Sequence, residues 1–216
     1  MNENREKKVN KRSEQGRSQE TKSKILNAAL IEFASAGFEG VSTRVIAGRA
    51  GVNHTLISHH FGSKEALWKA TAEWLFGAYN QRFIERNEAL KSVEASDMPR
   101  VFLADFILFS AKNPDFHRFM MQANLNDSER LNWLTDRFLR SGSEAELGVF
   151  QQAQTLGLMP KGDCLHIRYL FIGAATSIFT FAPEFTRLSG KDPFSDAILD
   201  RHIDYLTRLF SENNSL

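Results

Sequence analysis

The chain has 216 residues, of which 42% are hydrophobic and 25% charged, with a formal net charge of +1 at pH 7. That length accommodates one large domain or two small ones with a sizeable core, and the composition is that of an ordinary soluble globular protein. No apolar run approaches the roughly 20 residues that span a bilayer, the polar start at Met1-Asn2-Glu3 is no secretory signal, and the single cysteine, Cys164, excludes an internal disulfide framework.

A cytoplasmic location without membrane attachment is therefore expected. The charge is unevenly spread: residues 1–70 hold 12 Lys/Arg against 7 Asp/Glu, and the remainder 15 against 19. A basic N-terminal end on a mildly acidic body suits an anionic partner at that end.

In chain order, residues 1–18 hold almost no large apolar side chains and are expected to form a disordered basic arm. From Thr21 the periodicity is helical. Ile25, Leu26, Ala29 and Phe33 share a stripe, and Gly37 stops the helix. Ser42 can cap a second helix to about Ala50; Gly51 breaks it, and Asn53 can cap a short third helix ending near Phe61. Ser63 starts a long helix towards Asn87. Further helices are expected at about 99–112, 115–124, 128–157, 163–182 and 195–213, with prolines near their boundaries. Period-2 strand signals are absent, so the fold class is all-α. The expected division is a three-helix head at 19–66 and a larger helical body at 67–216.

Val41–Phe61 reads VSTRVIAGRAGVNHTLISHHF. Two short helices crossing steeply need a small residue at their contact, here Ala47. Four residues later the turn needs one that tolerates positive φ, here Gly51. Ile46, Ala50, Val52 and Ile57 face inward. The outward positions of the third helix, His54, Thr55, Ser58 and His59, are short or planar polar groups suited to base edges or phosphates in a major groove. Thr43 and Arg44 open the second helix, where backbone amides and dipole favour a phosphate oxygen.

The stretch TKSKILNAALIEFASAGFEGVSTRVIAGRAGVNHTLISHHFGSKEALW, from Thr21 to Trp68, resembles the TetR/AcrR family of bacterial transcription regulators. The resemblance implies a three-helix DNA-binding head with a helix-turn-helix, joined to a helical body for effector binding and dimerisation. It implies Ser42 and Thr43 near phosphates and Arg44 at the groove. It also implies contacts from His54, Thr55, Leu56, Ser58, His59 and His60, and a phosphate held by Lys64. Two positions depart from the pattern: Ser58 stands where the family commonly has tyrosine, and Leu56 where it commonly has a small or hydroxylated residue. The implied partners are double-stranded DNA with a palindromic operator, a second copy of the chain through the last two helices, and a small-molecule effector.

The segment 163–182 is apolar around most of its circumference and is expected to be buried on several sides. Ile198, Leu199, Ile203, Leu206 and Phe210 form one stripe of the final helix. Aromatic and methionine side chains concentrate between them. By spacing alone Phe102, Phe106, Phe109, Met120, Met121, Trp133 and Phe138 read as core more often than as pocket, and the family resemblance makes them candidate linings of an effector pocket for an apolar or aromatic molecule. Cys164 and His166 stand two apart on a helix and face different sides, and neither a phosphate loop nor His-Glu-x-x-His spacing occurs. No enzymatic activity, cofactor or metal is expected. Control by a protein partner, or without an effector, is the alternative.

Overall fold

In a computed structural model the structure describes residues 3–94 and 97–210, and among them eleven α-helices and no strand. The chain divides into two compact units.

The first unit comprises residues up to Phe76 together with Phe119–Leu125. It holds α1 (Glu3–Ala36), α2 (Thr43–Ala50), α3 (Thr55–Phe61) and the first part of α4 (Lys64–Leu90). The helix α1 begins at Glu3, so the stretch read as a disordered arm has a helical backbone; Lys, Arg, Glu and Gln are good helix formers that extend a helix already anchored further on. Side chains of residues 3–15 lie outside the described residues. The anchor is apolar: Ile25, Ala29, Phe33, Ile46, Ile57 and Leu67 are almost fully buried, and Trp68 stacks on Phe119 at 5.2 Å between ring centroids. Arg49 and Glu32 pair between α2 and α1.

The second unit comprises Gly77–Arg118 and the residues from Asn126 on. Besides the rest of α4 it contains α5 (Met98–Lys112), α7 (Glu129–Leu134), α8 (Arg140–Thr155), α9 (Cys164–Thr180), α10 (Ala182–Ser189) and α11 (Asp196–Phe210). The short α6 (Pro114–Asn124) begins in it. The division falls inside α4 after Phe76, beyond the boundary at residue 66 expected from sequence, because the apolar face of α4 goes on packing at Ala72, Leu75 and Phe76.

Two elements were not anticipated. The helix read over 128–157 contains a wider π turn at Thr135–Leu139 between α7 and α8. The helix read over 163–182 ends at Thr180, and Pro183 lies in the first turn of a separate α10. Residues 211–213, read as the end of the last helix, lie outside the described residues.

The core of this unit is aromatic. Phe171 touches Phe102, Phe106, Phe150 and Phe210, with centroids 4.8–5.9 Å apart. Ile107, Phe179 and Leu206 complete it. The stripe expected on α11, Ile198, Leu199, Ile203, Leu206 and Phe210, is buried throughout. The α9 helix is buried on one face only, at Ile167, Phe171, Ala175, Thr176 and Phe179, whereas Leu165, Tyr169 and Leu170 stay exposed. Burial on several sides, expected from its composition, is thus not met within one chain.

One core group titrates abnormally. His117 on α6 is buried, with Nε2 2.9 Å from Ser110 Oγ, and the Ser110 hydroxyl donates to the Phe106 carbonyl at 2.7 Å. The serine proton is thereby used, so Nε2–H must be the donor to Ser110 Oγ. Burial pushes its pKa down from 6.5 to about 4. Above the unfolded value the ring is neutral in both states and contributes no pH dependence. As pH falls from 6.5 towards 4, the unfolded chain binds a proton that the folded chain refuses, so stability drops through that window. Urea unfolding at pH 7.5 and 4.5 should show wild type losing about 2–3 kcal/mol more than His117→Gln. Equal losses in the two proteins would remove His117 as the cause.

Candidate functional site

The head surface is built by local hydrogen bonding. Ser42 has extended backbone and its Oγ accepts from the Val45 amide at 3.3 Å, which opens α2. Gly51 ends α2 at φ 65° and ψ 33°, with the Val52 amide donating to the Ala47 carbonyl at 3.0 Å and Gly51 to Gly48 at 3.2 Å. This double bond around a left-handed residue is the closure that glycine adopts without strain. Asn53 Oδ1 accepts from the amide and hydroxyl of Thr55, at 2.9 and 2.8 Å, so the cap expected at Asn53 acts on the first turn of α3.

Ser42, Arg44, His54, Thr55, Ser58 and His59 are exposed, while Thr43, Leu56, His60 and Lys64 are half-buried. Thr43 Oγ1 and His54 Nε2 are hydrogen-bonded at 2.9 Å, which joins the start of α2 to the start of α3. The His59 and His60 rings meet edge to face at 5.0 Å. Burial, then the neighbouring His59 and Lys22 charges, hold the His60 ring below its ordinary pKa. Lys64 Nζ lies 4.3 Å from the centre of the Phe38 ring, so its ammonium already has an attractive partner.

An open concavity of about 350 Å³ gathers Ser42, Thr43, His54, Ser58 and Lys64 around Ile57 and Ser63. Ser63, read from sequence as the start of the long helix, is not among the expected DNA-contacting residues. Its Oγ accepts from the Ala66 amide at 3.0 Å, and a serine just before a helix that opens beside two others is the signal that could have found it. The arrangement places hydroxyls, imidazoles and the N-terminal turns of α2 and α4 along one surface, chemistry suited to phosphate oxygens.

The seven candidate pocket residues do not come together. Met120 and Met121 belong to the first unit, and Met121 is 47% exposed. Trp133 and Phe138 pair edge to face with each other at 5.6 Å. Phe109 packs against Tyr79 and Phe116. Phe102 and Phe106 lie in the aromatic core. Of the seven, Phe102 lines a small apolar cavity of about 40 Å³ in the second unit. That holds a water or two, far below the roughly 300–1,000 Å³ of a ligand pocket.

The same unit buries a charged cluster that pattern reading missed. Tyr79 donates its hydroxyl to Glu146 Oε1, and Arg168 Nε donates to Glu146 Oε2 at 2.7 Å. Burial and the Glu146 carboxylate push the Tyr79 phenol above its ordinary pKa, so it remains a donor. Arg82 pairs with Asp105, and Arg86, 5% exposed, approaches the same carboxylate at 3.8 Å. Burial pulls the Arg86 guanidinium down, yet such a group stays charged near neutral pH. Among the described residues no group of three or more His, Cys, Asp or Glu converges as metal ligands, and no single helix is long and apolar enough to cross a membrane.

Comparison with known proteins agrees with this geometry. Residues 25–71 match the sequence profile of bacterial regulatory proteins of the tetR family. The chain is 32% identical to the HTH-type transcriptional dual regulator CecR of Shigella flexneri over 96 residues, which span 44% of this chain and 43% of that protein. It is 28% identical to the HTH-type transcriptional repressor NicS of Pseudomonas putida over 162 residues, 71% of this chain and 73% of that protein. The fold matches the crystal structure of AibR in complex with isovaleryl coenzyme A and operator DNA, with a TM-score of 0.68 at 16% identity, covering 89% of this chain and 98% of that one. Over residues 25–71 the chain is thus similar to the tetR family of bacterial regulatory proteins.

Proposed function

We propose that the protein is a cytoplasmic, homodimeric transcription repressor that grips a palindromic operator through α2 and α3 and leaves it when a small apolar or aromatic molecule occupies the second unit. The observation that carries the DNA-binding reading is the concavity lined by Ser42, Thr43, His54 and Ser58, with Arg44, Thr55 and His59 exposed on the same two helices. In this reading α3 enters the major groove, Arg44 reaches a base or phosphate, and Leu56 offers apolar contact to a thymine methyl. His60 and Lys64 serve at the edges of the surface.

Dimerisation is supported by the exposed rows Leu165, Tyr169 and Leu170 on α9 and Tyr205 and Leu209 on α11, each 47–64% exposed. Such rows on adjacent helices fit a four-helix bundle with a second copy. Repression is supported by the likeness to NicS. Effector control is supported by a fold that in AibR accompanies an acyl thioester and operator DNA. A second reading, control by a protein partner or without an effector, is favoured by the 40 Å³ size of the body cavity.

Selection of bound duplexes from random DNA tests the central claim. The expected product is a palindromic consensus with half-sites about 10 base pairs or a multiple apart; no enrichment overturns it. On the selected duplex, Arg44→Ala is expected to lower affinity about 10- to 100-fold, the scale of one lost base or phosphate contact. Arg44 is exposed, so its unfolding midpoint should match wild type. Unchanged affinity would remove Arg44 from the interface.

A further inference from the structure

The charged cluster of the second unit is incompletely paired: Arg86 Nε and Nη2 and the acceptors Asp105 Oδ2 and Asn87 Oδ1 are buried without hydrogen-bond partners among the described residues. Two largely buried guanidinium groups, of Arg86 and Arg168, meet two largely buried carboxylates, of Asp105 and Glu146, and the half-exposed Arg82 approaches both Asp105 and Glu85. Glu146 is occupied on both oxygens, by the Tyr79 hydroxyl and by Arg168. Asp105 Oδ1 takes Arg82. Arg86 is left with Asp105 Oδ2, 3.8 Å from its Nη1 and beyond hydrogen-bond reach. Its Nε and Nη2 have no hydrogen-bond partner among the described residues. A cation at this depth with three of its five N–H donors unmet is costly, and native interiors rarely tolerate it without a reason.

The two unmet atoms form a unit. Nε–H and Nη2–H lie on one edge of the planar group and point the same way, the fork that a carboxylate engages with two parallel hydrogen bonds. The rings of Phe83 and Phe102 lie 4.8 and 4.3 Å from the guanidinium carbon. Stacked rings cover faces and leave an edge for an acceptor lying in the plane. Phe102 also lines the apolar cavity, together with Leu90, Met98, Phe150, Met159 and Phe210. One aromatic side chain thus touches both the guanidinium and the apolar cavity.

We propose that the effector of this protein is a small monocarboxylate with an apolar body, its carboxylate held on Arg86 Nε and Nη2 and its hydrocarbon or aromatic part in the cavity that Phe102 lines. The proposal rests on the reading of the second unit as a small-molecule sensor. A carboxylate meets both unmet donors of this fork, whereas a neutral amide offers one weaker acceptor and a dianion brings a second charge into apolar surroundings. Entry requires Phe102 to turn and the cavity to widen, which the unbranched side chains of Met98 and Met159 accommodate. Arg86 lies near the end of α4, the helix whose first turn carries Lys64, so carboxylate binding acts directly on an element shared with the head.

Thermal unfolding of the full-length protein with octanoate, decanoate, benzoate or phenylacetate, each beside its primary amide, tests the proposal. At least one carboxylate should raise the midpoint by several degrees while its amide does not, since a ligand of the native state stabilises it. Arg86→Met should weaken that carboxylate roughly tenfold or more, and Arg86→Lys should weaken it less. Because Arg82 remains for Asp105, Arg86→Met without ligand should unfold at or above the wild-type temperature, which separates lost binding from lost folding. Equal binding of acid and amide, undiminished binding by Arg86→Met, or no shift from any of the four acids overturns the proposal. DNA binding by the wild-type protein without added acid is measured alongside, so that failure of the regulator reading is seen separately.

Discussion

On the proposed dimer, a single charge on the outer face of α9, Leu170→Arg, is expected to leave a monomer and to lower operator affinity by about 100-fold or more. Leu170 is 56% exposed in one chain and stands beside Leu165 and Tyr169, with Tyr205 and Leu209 on α11 completing an apolar surface. In a two-fold interface each substitution occurs twice, and the two arginines would be desolvated in an otherwise apolar contact. A dimer gains its affinity by engaging two half-sites at once, and loss of the second half-site removes that advantage, worth about 10²–10⁴. Light scattering after size exclusion gives the mass, and titration of a labelled operator duplex gives the affinity. Far-UV circular dichroism should be unchanged, because an exposed side chain contributes little to the protomer's own core. A dimeric variant with full affinity would place the subunit contact elsewhere.

The next residue along the helix has the opposite role. Phe171→Ala is expected to lower the unfolding free energy by about 3–5 kcal/mol, the cost of deleting a large buried aromatic side chain and leaving a cavity. Phe171 is 2% exposed and its ring meets those of Phe102, Phe106, Phe150 and Phe210. Against a typical total of about 5–15 kcal/mol this places the variant close to unfolding. Guanidinium or urea melts of wild type, Phe171→Ala and Leu170→Ala at equal, low protein concentration make the comparison. A loss below about 1 kcal/mol for Phe171→Ala would mean that the surrounding rings close the gap, and that the core is far less tightly packed than the ring distances indicate.

The head was legible from sequence because its determinants are short-range. Ser42 bonds an amide three residues on, Asn53 one two residues on, and Gly51 closes α2 on carbonyls three and four residues back. Each is a residue-type preference tied to a backbone conformation, so a string of letters carries the geometry with it. The positions of Arg44, His54, Thr55, Ser58 and His59 on the outside follow from the same helical period. Lys64 is the instructive exception. Its place at the start of α4 was readable, but not its position over Phe38, which depends on how the loop after α1 folds back.

The body was legible only in kind. Its all-helical character and the α11 stripe follow from periodicity, but composition does not say which aromatic faces which. Phe102, Phe109, Met121 and Trp133 look alike as letters and have four different surroundings. The charged cluster is less visible still: Arg82 and Asp105 are 23 residues apart, Tyr79 and Glu146 are 67 apart, and Glu146 and Arg168 are 22 apart. A polar residue on a helix reads as a solvated face until its partner is known.

The sequence by itself determined the helix-turn-helix between Val41 and Phe61 and the class of fold, because caps, glycine turns and the 3.6-residue period act within a few residues of chain. Only the tertiary structure decided which face of α9 is core and which is left bare, and that Arg86 lies buried with one edge unpaired. Those outcomes depend on side chains far apart in sequence competing for the same space, and on the high energy of a charge removed from water without a full set of partners.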